Sequence, residues 1–209
     1  AKGESKPESM IDPEICDCCH TSSALVPGGA AIAYRNREEG EIRDINVIRL
    51  NGTKWQTPVR VHADNWHISG CPVNGPSISA RGSDVVVAWF TAANDTARVR
   101  VAFSSDTANT FGAPYETNEA FPDGKVGVVL TKDGSAIVSW IERRGPMAVL
   151  RIRSIKRDGT RTVATDVADL GEGKRAGGAP KLLLQGDDVL LAWTDMTTNR
   201  VRTATVKLP

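Results

Sequence analysis

Three cysteines and a histidine stand within five residues, in PEICDCCHTS: Cys16, Cys18, Cys19 and His20. A fourth cysteine, Cys71, lies far along the chain in SGCPVNGP, and there are no others. Thiolates beside an imidazole suit a soft or borderline metal, copper or zinc. On that reading the ligands come from Cys16, Cys18, Cys19, His20, His67 and Cys71. The spacing is not that of a zinc finger, because paired C-x-x-C units are missing. A disulfide between Cys71 and Cys18 or Cys19 is the alternative, stapling two long loops. Four cysteines allow three full pairings, and the sequence does not choose among them. A nucleophilic thiol next to a base such as His20 is the third chemistry.

A second group of residues could bind anions. The stretch YRNREEGEIRD holds Tyr34, Arg35, Arg37, Arg43 and Asp44. Arginine forks clamp carboxylates through two parallel hydrogen bonds. Arg35, Arg37 and Arg43, with Asn74 in GCPVNGP, are therefore candidate ligand-binding residues. Trp66 in ADNWHISG is a candidate platform for stacking a sugar. Mixed charge in that stretch also fits a solvated loop of local ion pairs, each worth little.

The elements that must position these residues form a repeat. GGAAIAYRNR, GSDVVVAWFT, GSAIVSWIER and GDDVLLAWTD share a glycine turn, an apolar run and an aromatic residue. The aromatics are Tyr34, Trp89, Trp140 and Trp193, spaced by 55, 51 and 53 residues. A short apolar run precedes each glycine turn, in TSSALV, PSISA, KVGVVL and PKLLL. After each aromatic comes an alternating segment: DINVIRL, RVRVAFS, AVLRIRSI and RVRTATV. Period-2 alternation marks half-buried strands. A fourth short strand is expected in TPVRVH, APYETN and TRTVATD. Four antiparallel strands per unit, at a period near fifty, is the pattern of a β-propeller blade.

The expected fold is therefore all-β, one propeller domain spanning 1–209. Its blades fall near 20–66, 67–120, 121–174 and 175–209. Residues 1–15 are expected to supply the outer strand of a preceding or closing blade. In such a ring the loops before each inner strand share a face with the loops between second and third strands. CDCCH, HADNWHISGCPVNGP and YRNREEGEIRD then meet on one face of neighbouring blades.

SSDTANTF, at 104–111, resembles the Asp box of sialidase-type, BNR-repeat propellers, matched by Ser104, Asp106, Thr110 and Phe111. Ala108 replaces the usual glycine. The resemblance implies a structural role: Ser104 and Asp106 bond turn backbone, and Phe111 packs between sheets. The chain is also similar to a bacterial sialidase-like, predicted-neuraminidase group, through CDCCHTSSA, YRNREEGEIRDINVIR, GCPVNGPSISA, VAWFTAA and RVAFSSDTANTFGAP. That group looks six-bladed, which makes this chain its last four blades. Sialidases use a tyrosine nucleophile, and the resemblance adds an arginine triad, a glutamate beside the tyrosine and an acidic acid/base. Here the weak catalytic candidates are Arg35, Arg37, Arg43, Asp44 and Tyr34. Tyr34 fills a position that tryptophan takes three times, which marks a packing residue.

Three functions follow as expectations. The first is a sialidase-like propeller that binds a ligand or a copper or zinc ion without classical sialidase catalysis. The second is an exo-glycosidase hydrolysing terminal acidic sugars. The third is a structural module whose ring a second chain completes. Carbohydrate or another small anionic ligand is the expected partner. Net charge is +1, so no nucleic-acid partner is expected, and no apolar run reaches the length of a membrane span. An even cysteine count is compatible with a secreted or periplasmic location.

Overall fold

The computed structural model describes residues 8–172 and 179–207. Strands dominate, and among the described residues there is no α-helix, only two short 3-10 turns. Four antiparallel sheets follow one another along the chain. The first holds β1 (Ser22–Val26), β2 (Gly29–Arg35), β3 (Ile45–Asn51), β4 (Lys54–Trp55) and β5 (Val59–His62). The second is β6 (Ser77–Arg81), β7 (Asp84–Thr91), β8 (Arg98–Ser104) and β9 (Tyr115–Glu116). The third is β10 (Phe121–Leu130), β11 (Ala136–Arg144), β12 (Met147–Ile155) and β13 (Thr165–Glu172). The fourth is β14 (Lys181–Gln185), β15 (Asp188–Asp195) and β16 (Arg200–Lys207). Each expected inner, second and third strand is present, joined in sequence order; the inner and second strands form hairpins, because each inner run ends at a short turn.

One outer strand is corrected. TRTVATD was expected to form it, but β13 starts only at Thr165 and runs to Glu172. Its residues before 164 instead close the β12 turn, where Arg161 bridges Ile155. The outer strand expected in residues 1–15 lies partly outside the described residues. Residues 8–14 form no strand, and Ile15 makes a lone bridge to Asn36.

Apolar side chains fill the spaces between successive sheets. One cluster joins the first two sheets through Ala31, Val47, Ile78 and Trp89. A second, with Val101, Val128 and Trp140, joins sheets two and three. A third, with Ile137, Leu150, Val189 and Leu191, joins three and four. The innermost strands β1, β6, β10 and β14 touch in succession. Their outward backbone groups are unpaired edges, which must find partners. Serines supply them: Ser22 Oγ accepts from Ile78 N at 3.2 Å, and Ser77 and Ser79 Oγ accept from Val128 and Leu130 N at 3.0 Å. Face-to-face sheets with adjoining inner strands make the arrangement propeller-like.

Candidate functional site

The segment before β1 folds back over the end of β2. Cys16 N donates to Arg35 O at 2.9 Å, and Cys19 N donates to Cys16 O at 3.2 Å, closing a turn over 16–19. The long loop from β5 to β6 comes alongside, carrying Cys71. Close approach of these loops requires glycine at 75, where a Cβ would sit 1.9 Å from His20 O. Gly124 is needed too: its φ is +83°, and a Cβ there would lie 2.4 Å from Asn74 Oδ1.

All four sulfurs meet at this junction. Cys18 and Cys71 form a disulfide across 53 residues. Cys16 and Cys19 are free thiols. Cys16 Sγ lies 3.5 Å from Cys18 Sγ and 3.4 Å from Cys19 Sγ, and Cys18 and Cys19 sulfurs are 4.0 Å apart. Cys16 is buried, whereas Cys71 is exposed. The two candidate histidines stay outside this group. His20 and His67 are exposed, and His67 pairs through its backbone with Ile42.

Cations line the inner side of the sulfurs. Arg43 donates from Nη1 to Cys16 Sγ at 3.1 Å and from Nη2 to Glu41 Oε2 at 2.6 Å. Its buried Nε has no partner among the described residues. Arg35 is fully buried and gives its donors to three carbonyls: Asn74 O from Nε at 3.0 Å and Nη2 at 2.9 Å, Phe90 O at 2.7 Å and Arg43 O at 2.6 Å. No carboxylate among the described residues pairs with it. Burial therefore pulls the Arg35 pKa down, while Cys19 and Cys16 act in the opposite sense. Burial likewise pushes the Cys19 thiol up, with the Arg35 charge opposing it. Lys125 Nζ donates to Val73 O at 2.5 Å. Val73 is a β-branched residue at φ +50°, and Lys125 sits at +54°, a conformation that costs energy and clusters at functional sites.

Several residues expected to hold a ligand are occupied by the protein itself. Trp66 is buried, with the Arg35 guanidinium 4.9 Å over its ring and Phe90 edge-on at 5.6 Å. Its face is not free to stack a sugar, because the Arg35 charge needs that aromatic cover. Asn74 spends its side chain on Asp123 O at 3.1 Å and Lys125 N at 2.8 Å. Asp44 accepts from the backbone of Asn65 and Trp66, both at 3.1 Å, and burial raises its pKa. Arg37 is exposed and pairs with Glu41 at 2.6 Å; Arg37 and then Arg43 hold that carboxyl at about 2.

Tyr34 lies on β2 with its hydroxyl donating to Asp12 Oδ2. Burial, then Asp12, raise the phenol pKa well above its usual value. Equivalent aromatics make equivalent bonds. Trp89 Nε1 donates to Asp64 Oδ2 at 2.6 Å, and Trp140 Nε1 to Glu142 Oε2 at 3.1 Å. Each tryptophan faces an arginine across the sheet, in the pairs Trp89–Arg100, Trp140–Arg151 and Trp193–Arg202. Arg100 reaches Asp64, Arg151 reaches Glu142 at 2.7 Å, and Arg202 reaches Asp195 at 2.5 Å. The aromatic–carboxylate–arginine unit escaped the sequence reading, although R-x-R in β8, β12 and β16 signals it.

At the turn after β8, Ser104 Oγ accepts from Asp106 N at 3.3 Å and Ala108 N at 3.0 Å. Asp106 Oδ1 accepts from Asn109 N and Thr110 N, both at 3.0 Å. Phe111 packs against the core between the first two sheets.

No family model and no curated protein matches the sequence. Solved structures do match in fold. A protein of unknown function from Dyadobacter fermentans has a TM-score of 0.54 at 12% identity, over 88% of this chain and 61% of its own. The GH43_1 enzyme from Xanthomonas citri, complexed with xylotriose, gives 0.57 at 14%, over 96% and 72%. NanB sialidase from Streptococcus pneumoniae gives 0.51 at 10%, over 86% and 28%. The chain thus spans less than two thirds of the Dyadobacter protein and under a third of NanB. These likenesses support a propeller-like fold.

Proposed function

We propose that this chain is four blades of a larger sialidase-like ring, forming a single domain, whose cysteine-rich face binds a soft metal ion, copper(I) or zinc. The observation that carries the reading is the gathering of Cys16, Cys18 and Cys19 sulfurs within 4.8 Å of one another. A metal about 2.3 Å from each thiolate sets tetrahedral sulfurs roughly 3.8 Å apart, and the separations of 3.4, 3.5 and 4.0 Å bracket that value. Three thiolates on a monovalent or divalent ion leave net negative charge. Arg35 and Arg43, lying against the sulfurs, suit that charge. Reduction of the Cys18–Cys71 disulfide frees Cys18 as third ligand and Cys71 as fourth. Three soft ligands fit copper(I), and four fit zinc. The disulfide favours a secreted or periplasmic setting. The turn at 104–111 acts in this reading as a structural Asp box.

Hydrolysis of terminal acidic sugars is the second reading, favoured by the likeness to a sialidase and a GH43 enzyme. Against it, Tyr34, Arg35, Trp66 and Asn74 are committed to bonds within the protein.

The test is native mass spectrometry of the chain, reduced under anaerobic conditions and given one equivalent of copper(I) or zinc. One ion should remain bound to the wild type and be lost from Cys16→Ser. A reduced wild type that retains neither ion refutes the metal site.

A further inference from the structure

We propose that the four cysteines form a thiol–disulfide exchange centre, in which the Cys16/Cys19 pair takes over the disulfide now held by Cys18 and Cys71. Cys16 and Cys19 have the C-x-x-C spacing, and their sulfurs are already in contact at 3.4 Å. Cys18, half of the existing disulfide, is 3.5 Å from Cys16. A dithiol and a disulfide thus share one cluster, and every sulfur needed for exchange is within contact of the next.

Exchange proceeds by attack of a thiolate on a disulfide sulfur. Cys16 is the attacker, because its sulfur lies nearer Cys18 Sγ, at 3.5 Å, than the Cys19 sulfur does, at 4.0 Å, and Arg43 Nη1 donates to it. Its proton passes to water. The Cys16–Cys18 bond forms as Cys18–Cys71 breaks, and the electron pair leaves on Cys71 Sγ. Cys71 is exposed, so the leaving thiolate is hydrated and takes a proton from water. In the second step Cys19 gives its proton to water and attacks Cys16. The Cys16–Cys19 bond forms, and Cys18 leaves as thiolate and is protonated. One dithiol and one disulfide become another dithiol and another disulfide, so no oxidant or reductant is consumed. The consequence is positional: a buried thiol is traded for an exposed one. Cys71 becomes the point at which an external thiol or disulfide meets the centre.

The inference does not depend on metal binding, and its test uses chelator-treated, metal-free protein. The folded chain is held without reductant in a maleimide, quenched with acid at intervals and digested with trypsin. Cys16, Cys18 and Cys19 share one tryptic peptide, and Cys71 lies in another. Exchange converts the cross-linked peptide pair into a maleimide-labelled Cys71 peptide and a first peptide with an internal disulfide. In Cys16→Ser the cross-link should persist and Cys71 should stay unlabelled. In Cys19→Ser, Cys71 should still be labelled, with the internal bond at Cys16–Cys18. A wild-type cross-link that survives the whole time course overturns the proposal, as does a Cys71 that is free from the first time point. The wild-type time course decides the matter even where a variant does not fold.

Discussion

Two groups of buried arginines differ in how their charge is met. In the third sheet Arg151 and Arg153 lie over Trp140 at 5.7 Å, and carboxylates surround them. Arg151 pairs with Glu142 at 2.7 Å, Asp166 at 2.9 Å and Glu119 at 3.1 Å, and Arg153 pairs with Glu119. In the first sheet Arg35 lies over Trp66 in the same manner, yet meets carbonyls and sulfurs instead of carboxylates. Arg43 divides its donors between Glu41 and Cys16. Buried charge must be paired or hydrogen-bonded to be tolerated. The third-sheet network meets its charge with carboxylates and reads as structure, although Arg153 Nε, like Arg43 Nε, has no partner among the described residues. The first-sheet site has fewer carboxylates, and cysteine sulfurs lie against its arginines instead. That difference, more than the presence of arginine, is why we propose the site in the first sheet.

The comparison can be broken or sharpened by experiment. The largest effect should come from the first-sheet staple. A cross-link closing 53 residues stabilises by about 4 kcal/mol in the chain-entropy account. The double variant Cys18→Ser/Cys71→Ser should lose stability of that order in urea unfolding. An unchanged midpoint would mean that the loops are held without the disulfide.

Next comes Glu142→Gln. Glu142 is 1% exposed and holds both Arg151 and Trp140. Removing its charge leaves Arg151 short of its buried partner, at a cost of about 3 kcal/mol, measured the same way. Reductant should leave this variant's deficit unaltered, because the two sites share no bond.

The smallest effect is acid sensitivity. The Arg144 guanidinium, then Arg151, hold Asp166 below the ordinary carboxylate value. Glu119 is also lowered: its burial acts upward, but Arg153 and Arg151 outweigh it. A depressed folded pKa gives stability that is full above the unfolded value near 4 and is lost as pH falls through the lower folded values. Both carboxylates are partly exposed, so screening keeps the share below about 1 kcal/mol. Asp166→Asn should flatten the acid limb of a stability-versus-pH curve. A curve identical to the wild type would show that the third-sheet pairs carry no net stability.

The repeat, the strands and their order were legible from the chain, because each rests on local patterns. RVRVAFS alternates, GSD and GDD turn, and the aromatics recur at fixed spacing. The convergence of CDCCH with GCPVNGP followed from that topology alone, and Cys71 does meet Cys18. Fates of single side chains were not legible. Trp66 and Arg35 looked like a platform and a clamp, but they cover one another in the interior. Asn74 ties the cysteine-bearing loop to the start of β10, a contact 49 residues away in sequence. Even the misplaced outer strand of the third sheet reflects this limit, since TRTVATD and TDVADLGE have similar propensity and only pairing with β12 selects between them. By itself, then, the sequence determined the inner, second and third strands and which sheet each joins, since alternation and turns act between near neighbours. The tertiary structure alone decided which cysteine pairs with Cys71 and which arginines are left without carboxylates, because both depend on burial created by loops that lie a full repeat apart.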